Sequence, residues 1–191
     1  VIFSTTEGWP IDPAVAFTLT GKTAMQMPLP NGPAGFGAAM LTGDEPLFVI
    51  GQTKYPRPSP YATAGYGAAD LAACANRLPL PLVVREPARY SVFYVQNIDL
   101  DTVEITITYR DRSGATEAIR HHAIPAGGTQ QYDLRQVAGL PTDFVGSAEI
   151  FTPYRLLCAH VDEYLVGEPT KATDLTMQTR LFLPAILEQN E

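Results

Sequence analysis

Residues 102–109, "TVEITITY", alternate polar and apolar without a break. Val103, Ile105, Ile107 and Tyr109 fall on one side, and Thr102, Glu104, Thr106 and Thr108 on the other. A 3.6-residue period would scatter those apolar groups, so this is a half-buried antiparallel strand. The polar turn "RDRSG" closes it at Gly114. "RYSVFYVQN", from Arg89, is apolar on both faces, as a central strand is. "LPLPLVVRE", "TEAIRHHAI", "TQQYDL", "GSAEIF" and "RLLCAHVDEYLV" read as five further short strands, divided by "PAGG" and "AGLPTD". Together these make seven strands over residues 77–167, the number of an immunoglobulin-like sandwich. In the first of them Leu80, Leu82 and Val84 are expected on one face and Val83 on the other. Pro79 and Pro81 suit an edge, where a missing N–H costs no ladder bond.

Composition agrees with this plan. Apolar residues make up 46% and charged residues 17%, with 17 Pro and 15 Gly, which fits short punctuated strands better than long helices. A formal charge of −7 without a basic cluster excludes nucleic acid as a partner. No apolar run has the length of a membrane span, and no secretory leader stands at the start. Val1 is therefore expected to be a processed end or an internal point of a longer chain. Cys74 and Cys158 allow one disulfide or none.

The chain also repeats itself. "GAAMLTGDEPLFVIGQTKY" (37–55) and "GSAEIFTPYRLLCAHVDEY" (146–164) have equal length and share Gly, Ala, Leu and Tyr at matching places. Upstream, Gly8, Gly21 and Thr23 match Gly114, Gly127 and Thr129, and "VIFSTTEG" lies on "ITYRDRSG". The period is roughly a hundred residues, the size of one sandwich. The first repeat enters partway along the third strand and lacks its first two. The tail "RLFLPAILEQ", from Arg180, lies on "RLPLPLVVRE", from Arg77, and so resembles a first strand whose module is absent. The expected fold is all-β: two tandem immunoglobulin-like antiparallel sandwiches, the first incomplete and completed by a donated strand. Residues 1–56 form the incomplete module and 57–76 a linker. Residues 77–167 form the complete module, and 168–191 a linker with the donor strand. Its donor residues are Leu181, Leu183, Pro184, Ala185, Ile186 and Leu187, with Leu183, Ala185 and Leu187 expected inward.

The succession "LPLPLVVRE", "YSVFYVQNID", "VEITITYRDRSG", "IPAGGTQQYDL" and "LPTDFVGSAEIFT" resembles a β-sandwich repeat found in tandem in exported bacterial cell-surface proteins. Residues 77–167 cover the whole pattern and residues 1–55 only its second half, with "GFGAA" in place of "FVGSA". The resemblance implies an extracellular, multi-module, non-enzymatic protein without cofactor. Its oxidising setting favours a Cys74–Cys158 bridge, pinning the connector "AADLAACAN" to the last strand.

Other groupings suggest chemistry. Cys158, His160 and Asp162 share one face of a strand, but zinc sites draw ligands from several elements. His121 and His122 point to opposite faces, so one is expected exposed and the other packed. Asn97, Asp99, Asp101 and Glu104 have the oxygen spacing of a calcium loop, without its central glycine or following helix; a polar strand-to-strand loop explains the same residues. Ser147, His160 and Asp162 are the elements of a nucleophilic triad, with nothing to position them. Trp9, Tyr61, Tyr66, Tyr90 and Tyr94 would suit a carbohydrate platform, or the core and rim of a sandwich. Two functions follow. One is a structural subunit of an extracellular homopolymer, joined head to tail by its C-terminal strand. The other is an adhesion or glycan/protein-binding module from a longer surface array.

Overall fold

The structure, a computed structural model, describes residues 2–5, 7–9, 16–20, 25–26, 38–41, 50–55, 62–67, 74–153, 155–165 and 177–178. The strands are β1 (Ile2–Ser4), β2 (Ala38–Met40), β3 (Ile50–Tyr55), β4 (Ala62–Gly67), β5 (Arg77–Arg85) and β6 (Arg89–Asn97). They continue as β7 (Val103–Asp111), β8 (Thr116–Ile124), β9 (Thr129–Asp133), β10 (Phe144–Phe151), β11 (Leu157–Leu165) and β12 (Met177–Gln178). A single 3₁₀ turn, Leu134–Gln136, is the one helical element among the described residues. The fold is all-β, and every strand pair is antiparallel.

One face of each long strand is buried. On β7, Val103, Ile105, Ile107 and Tyr109 are all 2% exposed or less, as the alternation requires. Hydrogen bonding runs β5–β10–β7–β8 on one side and β9–β6–β11–β12 on the other. The ladder joins the two halves at Arg85 opposite Tyr90, across the tight turn Glu86–Arg89, and the Val84 N–H donates to Ser91 Oγ beside it. They close over one core, in which Phe93 of β6 packs 6.5 Å from Tyr109 of β7 and 5.0 Å from Tyr132 of β9. The result is β-sandwich-like. In an immunoglobulin constant domain the first strand shares a sheet with the second, and the seventh with the sixth. Here the first strand of the set, β5, pairs with the sixth, β10, and the seventh, β11, pairs with the second, β6.

The pattern expected for β5 is corrected. Leu80 lies opposite Ala148 and Val83 opposite Gly146, so Pro81 and Leu82 together face Ser147: a β-bulge. The extra residue resets the alternation: Leu78, Leu80 and Val83 enter the central cluster, Leu82 is half-buried outside it, and Val84 is fully buried but not part of it. Proline is tolerated here because a bulge and an edge each leave an N–H outside the ladder. Opposite the bulge, Gly146 is tied to its size: a Cβ there would lie 2.0 Å from the Arg110 carbonyl oxygen.

The strand pairings of the two aligned segments can be set side by side. In β1–β2, Ile2 faces Met40, Phe3 faces Ala39 and Ser4 faces Ala38. In β7–β10, Thr108 faces Glu149, Tyr109 faces Ala148 and Arg110 faces Ser147. The alignment that sets Gly8 on Gly114 and Gly37 on Gly146 carries each of the first pairs onto one of the second. The turns agree as well. Gly8 and Gly114 have φ of 83° and 88°, and each donates its N–H three residues back, to Thr5 and Asp111. Likewise β12 stands to β11 as β4 stands to β3: Tyr164 faces Met177 as Tyr55 faces Ala62, and Glu163 faces Gln178 as Lys54 faces Thr63. The donor residues Leu181, Leu183, Pro184, Ala185, Ile186 and Leu187 lie outside the described residues, as do most of the two proposed linkers.

Candidate functional site

Five of the side chains singled out in the sequence, Tyr90, Tyr94, Cys158, His160 and Asp162, share the outer face of β9–β6–β11. Strand alternation puts Phe93 and Val95 of β6 into the core and turns Tyr90, Val92 and Tyr94 outward. Pairing then aligns Gln131, Tyr94 and His160 in one row, and Asp133, Val92 and Asp162 in the next. Tyr90 stacks on Tyr164 with ring centroids 5.1 Å apart, and Arg135 lies 3.7 Å over the Tyr90 ring. Tyr94 and His160 stack at 6.5 Å. The face is partly closed: Tyr90 is 6% exposed and Asp162 7%. Burial raises the Tyr90 and Tyr94 phenols above their ordinary range. Burial opposes the Asp133 carboxylate too, but hydrogen bonds from Arg135 outweigh it and hold the group below the usual range.

Cys158, His160 and Asp162 do share this face, yet each is committed. Cys158 is bridged to Cys74, with Cα atoms 4.5 Å apart. Beside the bridge, Ala75 and Leu157 exchange both backbone hydrogen bonds, so the connector lies along the outer edge of β11. His160 Nε2 meets Asp162 Oδ1 at 2.7 Å. Among the described residues no three His, Cys, Asp or Glu side chains are placed to hold a metal. The triad reading is corrected by topology: Ser147, on β10, turns to the outer face of the other sheet, away from His160 and Asp162. No helix among the described residues is long and apolar enough to cross a membrane.

The calcium-spaced loop is organised by Asn97, which is 0% exposed. Its Nδ2 donates to the carbonyls of Asp101, Ile124 and Pro125 at 2.7, 3.1 and 2.9 Å, and its Oδ1 accepts from the Asp99 N–H. Asp99 and Asp101 each take one arm of Arg155 at 2.9 Å. Glu104 stands apart, exposed on β7. Arg155 thus supplies the positive charge that the acidic pair attracts, a partner more than fifty positions away that local spacing does not reveal.

At the β8 edge His121 is exposed, within 3.1 Å of Thr106 Oγ1, while His122 packs edge-on against Tyr132 at 5.0 Å. Burial lowers His122 below the ordinary imidazole range and raises the Tyr109 and Tyr132 phenols. The two phenol oxygens have no hydrogen-bond partner among the described residues. Of the other aromatics, Trp9 is 71% exposed, Tyr61 lies outside the described residues, and only the backbone of Tyr66 is described.

No protein-family model matches the chain, and no curated protein does. Among solved structures, Thermotoga maritima 1070 is similar over 50% of this chain and 84% of its own, at 14% identity and a TM-score of 0.44. The Anabaena sensory rhodopsin transducer is similar over 46% of this chain and 94% of its own, at 12% identity and a TM-score of 0.40.

Proposed function

We propose that this protein is a structural subunit of an extracellular bacterial assembly, built of tandem β-sandwich modules and polymerised head to tail by its C-terminal strand. The observation that carries the reading is the contrast between the repeats. Ala148 of β10 is 3% exposed, whereas its counterpart Ala39 of β2 is exposed, and Met40 beside it is 40% exposed. Two short strands cannot cover that surface themselves, and a bare sheet edge invites another strand. The disulfide fits an oxidising compartment. Residues Leu181, Leu183, Pro184, Ala185, Ile186 and Leu187 form the donated strand, as in other strand-addition contacts. Such a contact joins unlike surfaces and propagates unless it closes into a ring.

Deleting Arg180–Glu191 tests this. The expected product is a folded subunit that sediments as a monomer and shows no filaments by negative-stain microscopy. Native-like assembly of the truncated chain would refute the reading. The Tyr94, His160 and Tyr164 face favours a second function, adhesion to a glycan or protein. That reading requires ligand binding by isolated subunits and its loss in Tyr94→Ala.

A further inference from the structure

The disulfide joins the two ends of the second module. Cys74 stands just before β5, and Cys158 is the second residue of β11. Every strand from β5 to β10 therefore lies inside the loop that the bridge closes, a separation of 84 residues. Outside the loop, the module keeps only β11 from Cys158 to Leu165. The chain before Cys74 carries β1 to β4, and the chain after Leu165 carries β12.

We propose that this bridge makes the second module an inextensible link. Tension between the chain before Cys74 and the chain after Leu165 passes through the two sulfurs and along β11, and bypasses the folded core. The inference follows from covalent connectivity and goes beyond the polymer reading without depending on it.

Two observations fix how little the module can lengthen. The Cα atoms of Cys74 and Cys158 are 4.5 Å apart, and a bridge spans no more than about 7 Å. From Cys158 to Leu165 the chain is already strand, paired with β6 from Gln96 to Arg89. A strand rises ~3.4 Å per residue, against at most ~3.6 Å for a fully drawn chain. Unfolding the whole module thus adds less than about 5 Å between the two points of load. Tension promotes unfolding by force times the length released, and here that length is close to nil.

Without the bridge the same load enters β5 through Ala75 and Asn76. Ala75 is held to Leu157 by two backbone hydrogen bonds of 3.0 Å, and the Asn76 carbonyl accepts from Thr152 N–H at 2.9 Å. Once these yield, β5 draws away from β10 and the loop opens, releasing roughly 280–300 Å over its separation of 84 residues. The first repeat has no such bypass, because both cysteines of the chain are used here, so β1 to β4 stay on the path of the load.

Single-molecule stretching of the full chain, held at its two ends, tests the proposal. The oxidised protein should show no release of ~280–300 Å, and the chain with Cys74→Ser and Cys158→Ser should be longer by that amount when fully drawn. A second measurement leaves both cysteines in place. A handle inserted in the exposed turn Arg112–Gly114, with the other at the C-terminus, puts the load inside the loop. The oxidised module should then unfold with a release on the order of 100 Å, limited by the shorter arm of the loop, Cys74 to Ser113. The long release in the oxidised chain held at its ends would overturn the proposal. So would the absence of any release with the handle in the turn, since the module would then resist load without the bypass. The polymer reading is decided separately, by deletion of Arg180–Glu191.

Discussion

Asn97 shows how one side chain can organise a loop. Spacing alone makes Asn97, Asp99 and Asp101 resemble oxygen ligands, but an amide nitrogen directed at three carbonyls binds backbone, not cation. The sequence marks the residue as the end of a "VQN" strand; its partners arrive from the β8–β9 turn and become visible only in three dimensions. The histidine pair is simpler, since adjacent residues of a strand must face opposite ways, and they do. His122 also links the core to pH. Its folded-state pKa is depressed by burial, so the unfolded chain takes up the proton first. The stability it supports is complete above the unfolded value of about 6.5 and declines as pH falls through the folded value. Denaturant titrations between pH ~7 and ~5 should show this decline in the native protein and a flatter profile in His122→Gln. An unchanged slope would mean that the depressed imidazole plays no part.

At the scale of elements, alternation made β7 legible and misassigned β5. Both are apolar strands, but a bulge adds a residue that no composition rule announces, and it brings Val83 into the central cluster, which the equally buried Val84 does not join. The consequence is measurable. Val83 is 0% exposed, so Val83→Ala should cost roughly 1–3 kcal/mol, whereas Leu82→Ala, half-buried at the bulge, should cost less than Val83→Ala although it removes more atoms. Leu82 proving the more costly of the two would return β5 to simple alternation. Pairing partners were equally hidden. Seven strands can be counted along the chain, but that the first lies beside the sixth is a fact of topology, fixed by contacts distant in sequence.

For the whole molecule, the internal repeat was the most informative feature of the sequence, because its weak identities kept a constant order. Along that alignment β1–β2 has the register of β7–β10, and β3–β4 that of β11–β12. The disulfide closes a separation of 84 residues and ties the connector to the last long strand, which restricts the unfolded chain by about 4–5 kcal/mol in the loop-entropy account. It also fixes the outer edge of β11 at Cys74–Ala75, while β12 takes the other end of that edge. The tail is legible only by its likeness to β5 and lies outside the described residues; that it joins one molecule to the next is the central proposal. The most direct measurement of that claim is an electron cryo-microscopy map of the assembled protein. The expected map shows residues 180–191 of each molecule added as a strand to the first repeat of a neighbour. A map in which the tail reaches no neighbour, or folds back on its own molecule, would contradict the proposal.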